Sequence, residues 1–182
     1  MKNRRGNTEV IAVLDGDWPN PPINDHPDVT LIHHSKSIGQ RAATNEAARV
    51  SQARFVMKAD AHCAFDEGFD IKLMETFEHD WTVIPRMFTL HVFDWKCRDC
   101  GTLTYQGPPH CNKCGTKNVE KVVVWQPNWR KLTDFARFDR TLHFQYWQHY
   151  RRRPEAQGDI VDNMCFVGAC FMMERSRYWE LG

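Results

Sequence analysis

No run of this 182-residue chain approaches the ~20 consecutive apolar residues that a bilayer-spanning helix needs. The first residues, Met1 to Gly6, are polar and lack the apolar core of a secretion signal. Charge of either sign is not in excess: 24 Lys and Arg stand against 23 Asp and Glu, for a formal net charge of +1. That balance excludes a domain-wide basic field for nucleic acid. Arg151-Arg152-Arg153 remains a local run, a pattern found more often on a solvated face than at a binding site. No repeat of solenoid period is present. The expectation from these absences is a cytoplasmic protein without a membrane span.

What is present suits a globular domain. Hydrophobic residues make up 42% of the chain, enough for one domain with a core. Seven cysteines, an odd number, include two C-x-x-C pairs. In a reducing compartment that pattern favours metal over disulfides.

The pairs are Cys97-x-x-Cys100-Gly101 and Cys111-x-x-Cys114-Gly115, with ten residues between them. Each pair can wrap one side of a tetrahedral ion. The glycine after each lets the backbone turn its amides toward the thiolates. Structural zinc suits four thiolates and leaves no open position for chemistry; iron in a rubredoxin-like site would use the same ligands. A ribbon of this kind folds with its metal. Cys63, Cys165 and Cys170 read as small core residues or partly buried thiols.

Hydrophobic patterning predicts strands over Glu9–Leu14, Val29–His33 and Arg54–Ala59. It predicts helices over Gly39–Ala53, with Ser37 as cap and Ala43, Ala47 and Val50 on one face, and from Asp66, with Phe69, Leu73 and Phe77. Trp81–Pro85, Phe88–Trp95, Val119–Gln126 and Phe166–Met173 read as further strands, and Ser176–Leu181 as a short helix. In the aromatic-rich region Phe135–Tyr150 a helix over Arg137–Tyr150 fits the spacing. Its aromatics Phe138, Phe144, Tyr146, Trp147 and Tyr150 read as core rather than as a sugar platform. Strands alternating with helices over the first half imply an α/β sheet.

Two acidic clusters end predicted strands, Asp15-x-Asp17 and Asp60-x-His62. In an open α/β sheet ligands bind beyond the carboxyl ends of strands. Carboxylates there suit a hydrated divalent cation holding a diphosphate, and a carboxylate and an imidazole two residues apart can reach one ion. Asp15-Gly16 also fits a plain turn.

The run Val29-Thr-Leu-Ile-His-His-Ser-Lys-Ser-Ile-Gly39-Gln-Arg41-Ala-Ala-Thr-Asn45, followed by Ala53-Arg-Phe-Val-Met-Lys-Ala-Asp60-Ala-His62, resembles family 2 glycosyltransferases. The Asp-x-His motif is similar to that of the polypeptide N-acetylgalactosaminyltransferases. Met164-Cys-Phe-Val-Gly168-Ala169 resembles the small-residue stretch on the acceptor side of that family. The resemblance covers roughly residues 8–95 and 125–182 and implies a GT-A-like, Rossmann-like mixed sheet with helices on both faces. It implies a nucleotide-sugar-binding part over 1–95, an inserted zinc ribbon over 96–118, and the acceptor side over 119–182. Asp15, Asp17, Arg41, Asn45 and Asp60 would bind the donor, a nucleoside-diphosphate sugar, and Asp60 and His62 would hold Mn or Mg. It further implies that the family's first strand, its catalytic base and a third metal ligand lie outside residues 1–182. Sugar transfer to a hydroxyl acceptor is the function so implied. The alternative is a zinc-ribbon module on an inactive scaffold, binding a protein or nucleic acid through Lys96, Arg98, Lys113 and Lys117.

Overall fold

The computed structural model describes residues 1–131, 136–146, 152–166 and 168–182. They form two compact units, one of Met1–Pro85 with Val167–Gly182, the other of Arg86–Phe166.

In the first unit, β1 (Val10–Asp15) and β2 (Val29–His34) pair in parallel, from Val10 opposite Val29 to Asp15 opposite His34. Parallel neighbours need a crossover, here the proline-rich loop between them. β2 leads into α1 (Gln40–Val50), whose start is Gly39 at a φ of 88°, a left-handed conformation suited to glycine. Ser37 is not the cap expected of it, since α1 has no side-chain cap. The buried face of α1 is Ala43 and Ala48, while Val50 is exposed.

β3 (Phe55–Ala59) pairs antiparallel with β9 (Cys170–Glu174). Val83 bridges Met172 on the other side of β9, exchanging two backbone hydrogen bonds of 2.8 Å. β9 is therefore flanked on both edges, and Cys170, Met172, Met173 and Glu174 are buried, matching the continuous apolar run Cys170–Met173. Trp81–Pro85, expected as a strand, contributes only that one bridge. Its Pro85 lacks an N–H and closes off further ladder bonds. α2 (Phe69–Glu75) starts three residues later than Asp66, after Gly68 in a left-handed turn. α3 (Arg175–Glu180) follows β9 directly.

The second unit is built on an antiparallel sheet of order β5-β4-β6, with β4 at Phe88–Cys97, β5 at Leu103–Tyr105 and β6 at Val119–Lys131. β5 lies between the two C-x-x-C units, within the segment 96–118 read from sequence as a zinc ribbon. A second hairpin, β7 (Ala136–Phe138) with β8 (Phe144–Tyr146), replaces the helix expected from Arg137. Asp139 explains the difference. Its Oδ1 accepts hydrogen bonds from Thr141 N at 2.8 Å, Thr141 Oγ1 at 2.7 Å and His143 N at 3.0 Å, and Leu142 takes a φ of 63°. An aspartate that gathers nearby amides favours a turn over a helix interior. Phe138 is exposed rather than core, and Trp147, His149 and Tyr150 lie outside the described residues.

A mixed α/β chain of small sheets and few helices is compatible with a GT-A-like domain. The described strands form four separate small sheets rather than one continuous one. Among the described residues no helix is long and apolar enough to cross a membrane.

Two candidate metal centres

The first centre is the cysteine ribbon. β4 ends on Cys97 and its register with β6 closes at Cys97 opposite Val119, so the sheet fixes one end of the site. The two C-x-x-C units repeat one turn. Gly101 N donates to Cys97 O at 3.0 Å and Gly115 N to Cys111 O at 2.9 Å. Cys97 N donates to Thr102 O at 2.9 Å and Cys111 N to Thr116 O at 2.8 Å. Gly101 and Gly115 have φ of 71° and 73°, which a Cβ would strain. Amides then point at sulfur: Cys100 N at 3.4 Å from Cys97 Sγ, and Lys113 N at 3.4 Å from Cys111 Sγ.

All four sulfurs lie within 4.8 Å of one another, and no cysteine of the chain forms a disulfide. The separations are 3.6 Å for Cys97–Cys114, 3.6 Å for Cys100–Cys111 and 3.7 Å for Cys100–Cys114. Tetrahedral zinc with Zn–S bonds of ~2.3 Å sets neighbouring sulfurs ~3.8 Å apart. Cys97 and Cys111 are 1% exposed, and Cys100 and Cys114 face outward. Thr102 holds the Cys100 thiol down to about 6, whereas Cys114 is pushed up to about 12: the Thr116 amide favours its thiolate, and neighbouring sulfurs and burial outweigh that. Four adjacent thiolates repel one another, so a soft divalent cation among them suits this donor set. The cluster can hold a metal such as zinc.

The second centre lies where β1, β3 and the start of α1 meet. Asp15 closes β1, and its carboxylate accepts from Ser37 Oγ at 2.8 Å, Ile38 N at 2.6 Å and Gly39 N at 3.0 Å. These bonds, that of Ile38 foremost, hold its carboxyl below the usual range. Gly16 turns tightly here; a Cβ on it would lie 2.8 Å from Ser37 N. Asp15 thus shapes the loop into α1. Asp17 is exposed and accepts from Trp18 N at 2.8 Å.

Asp60 follows β3 and is pinned by its own N–H to Ala169 O at 2.9 Å. Its Oδ1 accepts from Lys58 Nζ and lies 3.5 Å from Gln40 Nε2; its Oδ2 lies 3.9 Å from His62 Nε2. Since Gly39 touches Asp15 and Gln40 reaches Asp60, the first residues of α1 stand between the two acidic clusters. Arg41 is exposed on the same turn. Asn45 sits one turn on, and its Oδ1 accepts from Tyr178 O–H at 2.6 Å, tying α1 to α3. Of the expected donor residues, then, the structure groups Asp15, Asp60 and Arg41 at one end of α1, together with the expected metal ligand His62. Asn45 is engaged in packing, and Asp17 lies on the β1 turn.

Lys58 and Gln40 were not legible as site residues by motif. The signal for Lys58 was its place two residues before Asp60 in an extended segment, which puts both side chains on one face.

No curated protein and no solved structure matches this chain significantly. Residues 2–90 match the family model described as Glycosyl transferase family 2, which supports a glycosyltransferase family 2 domain over the stretch that holds β1, α1, β3, Asp60 and His62.

Proposed function

We propose that the chain takes part in transferring a sugar from a nucleoside-diphosphate donor to a hydroxyl acceptor, at the end of α1 where Asp60 and His62 stand. The observation that carries the reading is the pairing of Asp60 Oδ2 with His62 Nε2 at 3.9 Å, beside the first turn of α1 and inside the stretch that matches the family. In an octahedral site with bonds of ~2.1 Å, donor atoms lie between ~3.0 Å apart at right angles and ~4.2 Å apart across the ion. His62 is 84% exposed and free to adjust, so the two residues fit one Mn or Mg ion, with diphosphate oxygens and waters as the remaining ligands. When bound, such an ion supplies Lewis-acid neutralisation of the departing nucleoside diphosphate.

The chain's own residues would hold and orient. α1 starts without a side-chain cap; the first N–H groups of a helix have no partner within it, and a helix N-terminus favours a phosphate. Arg41, exposed on that turn, adds a positive charge for the diphosphate. Asp15 holds the loop that aims α1, and Asp17 is open to a nucleoside hydroxyl. No general base stands among the described residues of this site. Zinc at Cys97, Cys100, Cys111 and Cys114 would be structural. The nucleic-acid reading has no support here, since Arg98 and Lys96 are both drawn to Glu120, at 3.4 and 3.9 Å.

Calorimetry of the zinc-loaded chain with a panel of nucleoside diphosphates should show binding that depends on Mn, and Asp60→Ala should abolish it with the zinc content unchanged. A folded sample that binds none of them with Mn would sink the reading.

A further inference from the structure

The Asp60 carboxylate already has a cation of its own. Lys58, on β3, pairs with Asp60 Oδ1 and donates to Gly168 O through the same ammonium. Its side chain is 11% exposed and that of Asp60 23%, so the pair is largely withdrawn from water and weakly screened by salt. Gln40 Nε2 reaches the same oxygen. One lobe of the carboxylate is therefore committed, and only Oδ2, on the His62 side, is open.

We infer that Lys58 acts as a built-in counter-cation that keeps the donor-free site weak for divalent metal, so that the ion enters together with the diphosphate. The inference rests on the reading above of Asp60 and His62 as the metal site. Its physical basis is charge. Asp60 and Lys58 cancel, and the His62 imidazole brings no negative charge, so a divalent ion alone meets no net negative charge from Asp60, Lys58 and His62 together. The affinity of hard cations follows the charge count of their ligands. A diphosphate brings that charge with it, and is itself attracted by the Lys58 ammonium. The Gly168 carbonyl gives Lys58 a second acceptor, which keeps the ammonium in place when Asp60 turns an oxygen to a metal. Lys58 is in this sense a positioning residue that sets the order of binding.

The test is Mn binding to the full chain, read from the electron paramagnetic resonance of free Mn, without and with inorganic pyrophosphate. Removing a charge next to the ion should tighten binding of Mn alone by ~10-fold or more in Lys58→Met. Lys58→Arg should keep the wild-type weakness, which loss of packing would not. Asp60→Asn should remove the site in either background. With pyrophosphate present the advantage of Lys58→Met should shrink. Should Lys58→Met fail to fold, Lys58→Gln is neutral and still donates to Gly168 O. Mn affinity that is unchanged or weaker in a folded neutral variant overturns the inference, as does a gain that persists undiminished with pyrophosphate. The metal reading itself is judged separately, by Mn-dependent nucleoside diphosphate binding in the wild type and its loss in Asp60→Ala.

Discussion

Cys97→Ser or Cys111→Ser should cost the chain its ribbon metal and the order of the ribbon with it. These two sulfurs are the buried pair, one from each C-x-x-C unit, and each lies beside a partner from the other unit. Serine offers a hydroxyl that stays protonated near neutral pH and is a poor ligand for a thiolate site. The loss is large because the metal's binding energy is folding energy. For structural zinc in zinc-finger peptides that energy is about 10–16 kcal/mol. The damage should centre on what the cysteines anchor: β5, the turn at Gly101, the turn at Gly115, and the β4–β6 ladder where Cys97 faces Val119. One zinc per chain in the wild type, with slow amide exchange in β5, should become less than stoichiometric zinc and fast exchange in the variants. A chelator should do the same to the wild type. A colourless metal-loaded protein fits zinc, while a visible charge-transfer band would mean iron in the same four thiolates. A serine variant that keeps stoichiometric metal and protected β5 amides would contradict the assignment.

That site was legible in the sequence because its information is local. Two C-x-x-C-Gly units specify their own turns, and the turns aim the sulfurs. The long β4 and the largely buried β9 were legible for a related reason, since alternation and a continuous apolar run are written in the residues themselves, although β9 begins at Cys170 rather than at the expected Phe166. The failures share a cause of the opposite kind. Val83 pairs with Met172, far along the chain, and nothing in Trp81–Pro85 names that partner; Pro85 marks only where the pairing has to stop. The β7–β8 hairpin hides behind aromatics spaced as on a helix. What decides it is the Asp139 carboxylate, a local competitor for backbone amides that periodicity does not weigh. At the second centre the motif residues Asp15 and Asp60 were visible, but their partners were not. Ser37, read as a helix cap, serves Asp15, and Lys58, read as part of a strand, neutralises Asp60. A motif names the carboxylate; only the fold shows how much of its charge remains.

Asp70→Ala should be the most destabilising single change in the first unit outside its apolar core. Asp70 is 6% exposed and is the acceptor on which the N-terminal segment is hung. It takes hydrogen bonds from Thr8 Oγ1 at 2.7 Å, Gly6 N at 2.9 Å, Arg5 N at 3.1 Å and Ile71 N at 3.1 Å. Burial alone would raise its pKa, yet the bonds from Thr8, Arg5, Gly6 and Ile71 outweigh it and bring the carboxyl from 3.8 down to about 2. That difference is about 2–3 kcal/mol of preference for the ionised form in the folded chain. Truncation to alanine also strands the donors, so a loss of ~3–4 kcal/mol is expected at neutral pH. The pH dependence has a definite sign. Above about pH 5 the carboxylate is ionised in folded and unfolded chains alike, and the full stabilisation is present. As pH falls from about 5 toward and below 2 the unfolded chain takes up the proton first, and the contribution drains away until both forms are protonated. Other carboxyls, Asp15 and Glu174 among them, are also held low and titrate in the same range. The difference between wild type and Asp70→Asn isolates the one of interest, because asparagine keeps the shape and an acceptor but cannot ionise. Urea unfolding at pH 7, 4 and 2 should give a gap of ~2–3 kcal/mol at the first two values and little at the third. A gap that stays constant across all three would mean that Asp70 acts through shape, and that its charge contributes nothing to holding the N-terminal segment on α2.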